Sequence, residues 1–495
     1  MIQITKEQKE IINCEVLPGE TLKIMAFAGT GKTTTLVEYT RKRPGIRFLY
    51  IAFNKSVQLE ASRKFPGNVT ARTTHSLAFR AKGFKYKDRL VKGFRANQVM
   101  AALGLEKYEE AKFTMDTLYN YLVSSDPKVT FHHIPPMARG FYKKNKSPMP
   151  DLVDRANCLG RLMCDGSDKT IGMLHDGYLK LYQLSSPVLS YDCILLDEAQ
   201  DINPVTAAIV FAQARTDQNP TPCSIILVGD GHQQIYSFRG AKDTLKTFPA
   251  ARTNYLTQSF RFDNNIARVA NMVLGAFKKE DKKIVGTKVN RPKKIPWDPG
   301  FHTIIARTNA TLFDKAVQLY KNHKIGFVGG VGNYRLNILK DVYYLYKDNP
   351  SRINDPYIKS FGSFQGLKSY ARTVEDFELS SLCKIIEKYS FKIPSHVDRI
   401  MEQAVDETKA RVLLTTAHKS KGLEWSNVLL MDDFHPLVKE ENIIDPAGVD
   451  PDEFNLIYVA MTRAMINLRF DKKSDIPSFI RLSLGQSKRP RKPVP

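Results

Sequence analysis

Ala26–Thr34 reads AFAGTGKTT, and this stretch decides the fold. A short apolar segment, Leu22–Phe27, runs into it, and a segment with helical character, Thr33–Arg43, leaves it. Strand, glycine turn, Gly-Lys-Thr and helix start together form a phosphate-binding loop. Gly29 and Gly31 allow backbone N–H groups to point inward without a Cβ clash. Those groups and the helix N-terminus favour a polyphosphate. Ala28, Gly29, Thr30, Gly31, Lys32, Thr33 and Thr34 are therefore the expected nucleotide cradle. Lys32 can reach the β- and γ-phosphates, and the Thr33 hydroxyl can ligate Mg²⁺. Ala26 stands where the usual pattern has its first glycine, a position that demands a turn less strictly than the later two.

Further along, an apolar strand at Cys193–Leu196 stops at Asp197-Glu198-Ala199-Gln200-Asp201. Asp197 can hold the metal ion, and Glu198 can orient or deprotonate an attacking water. Another strand, Ser224–Val228, runs into a segment holding Gln233, Tyr236, Phe238 and Arg239. A glutamine there can sense a γ-phosphate, and the rings can stack on bases, although aromatics two apart also suit an edge strand. Strands at Arg47–Phe53 and Val69–Thr73 each stop at polar residues, Asn54-Lys55-Ser56 and Thr74-His75-Ser76. Parallel strands that end this way place a working edge at their C-termini, although Thr74–Ser76 equally suit a helix cap. Near the start, Thr5 can cap a short helix with Gln8 on its first turn. The Gln8 amide can then read an adenine edge or simply face solvent.

Residues 77–170 interrupt the sheet pattern and read as mostly helical. Lys82, Lys85, Lys87, Arg89, Lys92 and Arg95 cluster at the start, and Arg139, Lys143, Lys144 and Lys146 near the end. Tyr86, Phe94, Phe141 and Tyr142 interleave with them. Cations among aromatics suit single-strand binding, and a solvated helical insert is the plainer alternative. A strand and helix occupy 252–275, and the stretch around 286–300 (VNRPKKIPWDPG) reads as a linker or surface loop. His302–Arg307 reads as a strand and Gly326–Gly332 as a turn-rich junction. Residues 333–405 read as helices and loops, Arg411–Thr416 and Asn427–Met431 as strands. Glu453–Met465 reads as an apolar helix carrying Thr462 and Arg463, whose charge needs a phosphate or a carboxylate partner.

The 495 residues suggest about three domains, and 42% hydrophobic content supports several cores, which excludes a disordered chain. The formal charge of +23 points to a polyanionic partner. Six cysteines without a Cys-x-x-Cys pair read as reduced thiols rather than a zinc or disulfide framework. No signal-peptide core and no bilayer-length apolar run is present, so the expectation is a soluble, intracellular protein.

Taken together, KIMAFAGTGKT, FLYIAFNKS, HDGYLKL, LLDEAQD and VGDGHQQIYSFRGA give the chain a family likeness. It resembles the superfamily 1 UvrD/Rep-type DNA helicases, and in particular the helicase core of the F-box DNA helicases, over most of residues 3–470. The first motif lies near the start, so no F-box is expected and no ubiquitin-ligase role is carried over. No fused nuclease is expected after residue 470. The resemblance implies an α/β fold with two tandem RecA-like parallel-sheet motor domains bearing helical insertions. It places the first motor domain at 1–76 and 171–255, with its insertion at 77–170. The second lies at 256–332 and 406–475 with a reduced insertion at 333–405, and 476–495 forms a basic tail. The resemblance also makes Gln8 the adenine reader, Lys32 and Thr33 the phosphate and Mg²⁺ residues, and Asp197 and Glu198 the metal and water residues. Gln233 becomes the γ-phosphate sensor, Arg261 and Arg463 the arginines from the second motor domain, and Glu424 a ribose contact. Asn54, Thr74, His75, Tyr236, Phe238, Arg239, Thr416 and His418 line the DNA strand. Phe238 stands where the family usually has Trp.

The expected function is an ATP- and Mg²⁺-dependent DNA helicase or translocase on single-stranded DNA and duplex junctions. By resemblance it moves 3′ to 5′, as a monomer without a membrane partner, in replication, repair or recombination. Its place would be nucleus or nucleoid in a cell, or host cytoplasm if viral. The alternatives are an ATP-gated factor that displaces proteins without unwinding, and an RNA helicase.

Overall fold

The computed structural model describes residues 4–215, 221–237, 240, 243–287, 296–373 and 376–486. The chain divides into two compact units, Met1–Phe27 with Gly31–Leu256, and Ala28–Thr30 with Thr257–Pro495.

In the first unit the strands are β1 (Thr21–Ala26), β2 (Phe48–Ile51), β3 (Val69–Arg72), β4 (Leu90–Val91), β5 (Met173–Leu174), β6 (Cys193–Leu196), β7 (Ser224–Gly229) and β8 (Arg252–Leu256). Six of them form one parallel sheet in the order β3-β2-β6-β7-β1-β8. β6 and β7 are buried along their whole length, as central parallel strands covered on both faces must be. One face packs Leu36, Tyr39, Ile24 and Ile226 with Ile11 of the first helix, Lys6–Asn13. The other face packs Leu49, Ile194 and Ile225 into a core that continues through Leu118, Leu159 and Met163 of the insertion. The insertion's main helices are Ala96–Leu103, Tyr108–Val123, Pro136–Lys144 and Leu152–Cys164. β4 and β5 tie its start to its end in a short parallel pair. Tyr86 (3% exposed) and Tyr142 (7%) are core residues, so these two aromatics are not the base-stacking faces expected of them.

The second unit holds β9 (His302–Ala306), β10 (Ile325–Phe327), β11 (Val412–Thr416), β12 (Trp425–Leu430), a hairpin of β13 (Val438–Lys439) and β14 (Asn442–Ile443), and β15 (Ala464–Phe470). Its main sheet is parallel, in the order β10-β11-β9-β12-β15. The 333–405 segment is helical, as expected. Its Leu339, Val342, Leu382, Ile386 and Val397 share one core with Ile304, Val412 and Leu414 of the sheet.

Three expectations are corrected here. Gly326, read as part of a turn, lies inside β10. A Cβ there would come 2.7 Å from Ala410 Cβ and 3.0 Å from Val405 O, so this glycine serves close packing. The helix expected over Glu453–Met465 is Pro451–Met461, and Arg463 lies in the turn before β15. Only Thr462 and Arg463 separate the apolar helix from the apolar start of the edge strand, with no Gly or Pro to mark the boundary. The segment 476–495, expected as a basic tail, opens with a helix, Ile476–Gln486, whose Phe479 is fully buried. Residues 487–495 and most of the 289–300 linker lie outside the described residues.

Candidate nucleotide and nucleic-acid sites

The loop after β1 enters its helix, Lys32–Arg41, through Gly31 at φ +77°, with Gly29 at φ +73°. Both angles are left-handed, which only glycine adopts at low cost, so the sequence spacing is a backbone requirement. Ala28 and Thr30 are buried, whereas Thr33 and Thr34 are half-buried on the first helical turn. Gln8 is 3% exposed rather than solvated. Its Oε1 accepts from Thr5 N at 3.0 Å in a capping box, and its Nε2 donates to Thr35 Oγ1 at 3.1 Å.

The ends of β6 and β7 supply the acidic side. Lys32 Nζ donates to Glu198 Oε1 at 2.6 Å. Burial pulls the Lys32 ammonium down, but Glu198, Asp197 and Asp230 outweigh it and hold the group above its ordinary value. Asp197 is 5% exposed. Burial pushes its carboxyl up and Lys32 pulls it back only in part. The Asp197 carboxylate accepts from the buried Tyr50 hydroxyl of β2 and from Glu198 N at 2.9 Å. Glu198 itself sits at φ +49°, a left-handed conformation costly for a non-glycine residue and common at functional sites.

A residue to which the sequence attached no role completes the network. Gln200 Nε2 donates to Glu198 Oε2 at 2.6 Å, while its Oε1 accepts from Asp230 N at 3.1 Å. A Cβ on Gly229 would lie 2.1 Å from that Oε1, so this glycine makes room for Gln200. Gln233 Nε2 in turn donates to Asp230 Oδ2 at 2.7 Å. A run of hydrogen bonds thus joins Lys32, Glu198, Gln200, Asp230 and Gln233 at the C-terminal ends of neighbouring strands. This donor set suits a polyphosphate with a hard divalent cation. Left-handed glycines and a helix N-terminus would favour such an anion, and carboxylate and hydroxyl oxygens would suit such a metal.

A second site lies at the same edge of this sheet. Asn54 caps the helix Lys55–Lys64 by accepting from Val57 N at 2.9 Å. Thr73 caps the next helix, leaving Thr74 buried and His75 within 3.1 Å of Asp176 Oδ1. Phe53, Thr74, His75, Asp176, Asn203 and Tyr236 line a cleft of about 260 Å³. Phe53, 42% exposed and just past the end of β2, stacks on Tyr236 at 6.0 Å and adds a second ring to the cleft. No strand forms at Tyr236, which follows a tight turn, Gly231–Gln233. Phe238 and Arg239 lie outside the described residues.

In the second unit, Arg261 Nε donates to Glu424 Oε2 at 2.7 Å and Nη1 to Thr462 O at 3.1 Å. The expected γ-phosphate arginine and the expected ribose contact therefore pair with each other. Arg463 is 1% exposed, and its guanidinium donates to Val459 O, Leu423 O and Thr462 Oγ1. Thr416 caps the turn Ala417–Ser420 and is buried, and His418 beside it is half-buried.

Among the described residues no helix is long and apolar enough to cross a membrane. The UvrD/REP helicase N-terminal domain model matches residues 183–250, and the UvrD-like helicase C-terminal domain model matches 357–473. The chain is 38% identical to F-box DNA helicase 1 of Gallus gallus, over 94% of this chain and 48% of that protein. It is 31% identical to F-box DNA helicase protein 1 of Schizosaccharomyces pombe, over 93% of this chain and 56% of that protein. DNA helicase IV of Escherichia coli is 24% identical over 62% of this chain and 37% of its own length. The chain spans about half the length of the two F-box relatives. Both domain models match in order, one in each parallel-sheet unit, so the chain carries UvrD-like helicase N- and C-terminal domains.

Proposed function

We propose that the protein is an ATP-dependent DNA helicase that translocates on single-stranded DNA, 3′ to 5′, in replication, repair or recombination inside the cell. The observation that carries this reading is the Lys32–Glu198 pair beside Asp197, at the C-terminal edge that also holds the Phe53–Tyr236 cleft. A nucleotide site and a strand site on one sheet edge allow chemistry in one to move the other.

In this reading ATP bound with Mg²⁺ supplies a hydrolysable phosphoanhydride and its charge-neutralising metal. Thr33 and Asp197 hold the Mg²⁺, and the loop N–H groups and Lys32 take the phosphates. Lys32 leaves Glu198 for the phosphates, which frees the Glu198 carboxylate to take a proton from water. Gln200 keeps that carboxylate aimed through its other oxygen, and Gln233 reports the γ-phosphate. Arg261 and Arg463 add positive charge to the transferring phosphoryl group, a contribution worth about 10³–10⁵ in rate for such arginines. Two motor domains, each with a helical insertion, form part of this reading, as does DNA contact by Asn54, His75, Tyr236 and His418.

Strand displacement on DNA and RNA duplexes with either overhang tests it. Unwinding of DNA from a 3′ overhang, dependent on ATP and Mg²⁺, is the expected result. ATP hydrolysis and DNA binding without displacement would favour the protein-displacing alternative. Preference for the RNA substrate would favour an RNA helicase.

A further inference from the structure

Among the described residues, the insertion of the first unit exposes two phenylalanines, Phe84 and Phe131, and Phe84 is the one joined by ring contacts to the cleft. Phe84 is 62% exposed, at the junction of a π-helical turn, Phe79–Gly83, and a 3₁₀ run, Phe84–Arg89. Single exposed apolar residues are ordinary, but this one is held in place. Gly83 is buried, and a Cβ there would lie 2.6 Å from Phe79 Cδ2 and 3.0 Å from Tyr178 Cγ, so the turn packs tightly under those rings. Phe84 meets Phe79 edge-on at 6.3 Å, Phe79 meets Tyr178 at 5.6 Å, and Tyr178 meets His75 at 6.2 Å. Aromatic contacts therefore run from Phe84 to the wall of the cleft that holds His75, Phe53 and Tyr236. Arg80, Lys85 and Lys87 are exposed around the turn, with Lys87 Nζ 5.4 Å from the Phe84 ring. Among the described residues none of these three cations forms an ion pair, although Lys85 Nζ lies 4.7 Å from the Tyr86 ring.

We propose that Phe79–Arg89 is a second DNA contact, in which Phe84 stacks on a base of the single strand that passes the Phe53–His75–Tyr236 cleft, and Lys85 and Lys87 hold its phosphates. This rests on the reading of the protein as a single-stranded-DNA motor. A single strand is the occupant because its bases offer open faces, whereas a duplex hides all but its end faces. Cations beside a ring match a phosphate backbone with unstacked bases. The turn extends the strand path beyond the sheet edge onto the insertion.

Anisotropy with a labelled oligothymidylate tests the contact on the full chain. Phe84→Ala is expected to weaken binding about 5- to 100-fold, and Phe84→Tyr to restore most of it. The double variant Lys85→Ala/Lys87→Ala should reduce the slope of log affinity against log salt by about 1.4. Phe84→Trp should show tryptophan quenching on binding, above the background of Trp297 and Trp425, which a structural role would not produce. Thermal unfolding checks that each variant is folded. Wild-type binding with Phe84→Ala equally tight and Phe84→Trp unquenched would overturn this contact alone. Losses confined to duplex would overturn the single-strand assignment. A wild-type chain that binds no DNA would overturn the contact together with the proposed function.

Discussion

Lys32 and Glu198 are a closed pair: the ammonium lies 2.6 Å from one carboxylate oxygen, with the two side chains only 16% and 23% exposed. The phosphate-loop cation and the expected water-activating carboxylate thus neutralise each other until a polyphosphate competes for the lysine. Gln200 grips the second oxygen of Glu198 at 2.6 Å, so release by Lys32 would leave the carboxylate aimed rather than free to swing. In the proposed function this pairing would keep the base masked when no nucleotide is held.

Lys32→Ala removes both the phosphate contact and the mask. ATP turnover should fall by at least about 10²–10³-fold, on the scale of losing one transition-state donor. Affinity for single-stranded DNA should stay within about twofold, because the Phe53–His75–Tyr236 cleft does not include Lys32. Turnover assays and anisotropy on the same preparation check both parts. Normal turnover in this variant would sink the site assignment.

Tyr50→Phe tests the hydroxyl that β2 sends to Asp197. The carboxylate is buried and would lose one of its donors. Leaving a buried acceptor short costs about 1–3 kcal/mol, so the melting temperature should fall. If Asp197 is the metal residue, the Mg²⁺ concentration for half-maximal nucleotide binding should rise as well. A fluorescent-nucleotide titration against Mg²⁺ reads this without turnover. An unchanged titration would separate Tyr50 from the metal site.

Much of the fold was legible because the local signals agree. AFAGTGKTT gives a strand end, two left-handed glycines and a helix start that leave few other conformations. CILL before Asp197 is a short apolar run bounded by polar residues, which suits a buried strand better than a helix, and it is a buried central strand. Legibility failed where one signal had two physical uses. Gly326 looked like punctuation but permits close strand packing. The segment Met461–Met465 crosses from helix to edge strand through Thr462 and Arg463, with no Gly or Pro to break it. Gln200 could not be read as a positioning group, since its partners Glu198 and Asp230 meet only when β6 and β7 pair. Tyr86 and Phe84 lie two residues apart among lysines, and only folding separates the core ring from the exposed one.

Glu378 gives a pH prediction. Burial pushes its carboxyl up to about 7, against the pull of Asn309 N–H and Arg307. Its folded value is above the unfolded one, so between about pH 4.5 and 7 the folded state holds a proton that the unfolded state has lost. Stability should therefore fall as pH rises through that window and then level off. Glu378→Gln removes this dependence and should stabilise the protein at pH 8 by on the order of 1–3 kcal/mol relative to wild type. Melting temperatures of both proteins from pH 5 to 8 check it; parallel curves would show that Glu378 is not the group responsible.

Arg261→Ala separates charge stabilisation from nucleotide affinity. The guanidinium is bound to Glu424 and to Thr462 O, so it is already ordered, and the proposed function gives it a γ-phosphate to serve. In that proposed role a preorganised donor would act on the transferring phosphoryl group rather than on the ground state. The variant should therefore bind ATP with nearly unchanged affinity while hydrolysis falls about 10³-fold or more. Glu424→Gln is the control, since it weakens the resting ion pair but leaves the arginine in place; its hydrolysis should stay within about tenfold of wild type. Nucleotide binding by fluorescence and single-turnover hydrolysis give the two readings. A large rise in Kd with unchanged kcat would place Arg261 in ground-state binding and remove it from the catalytic set.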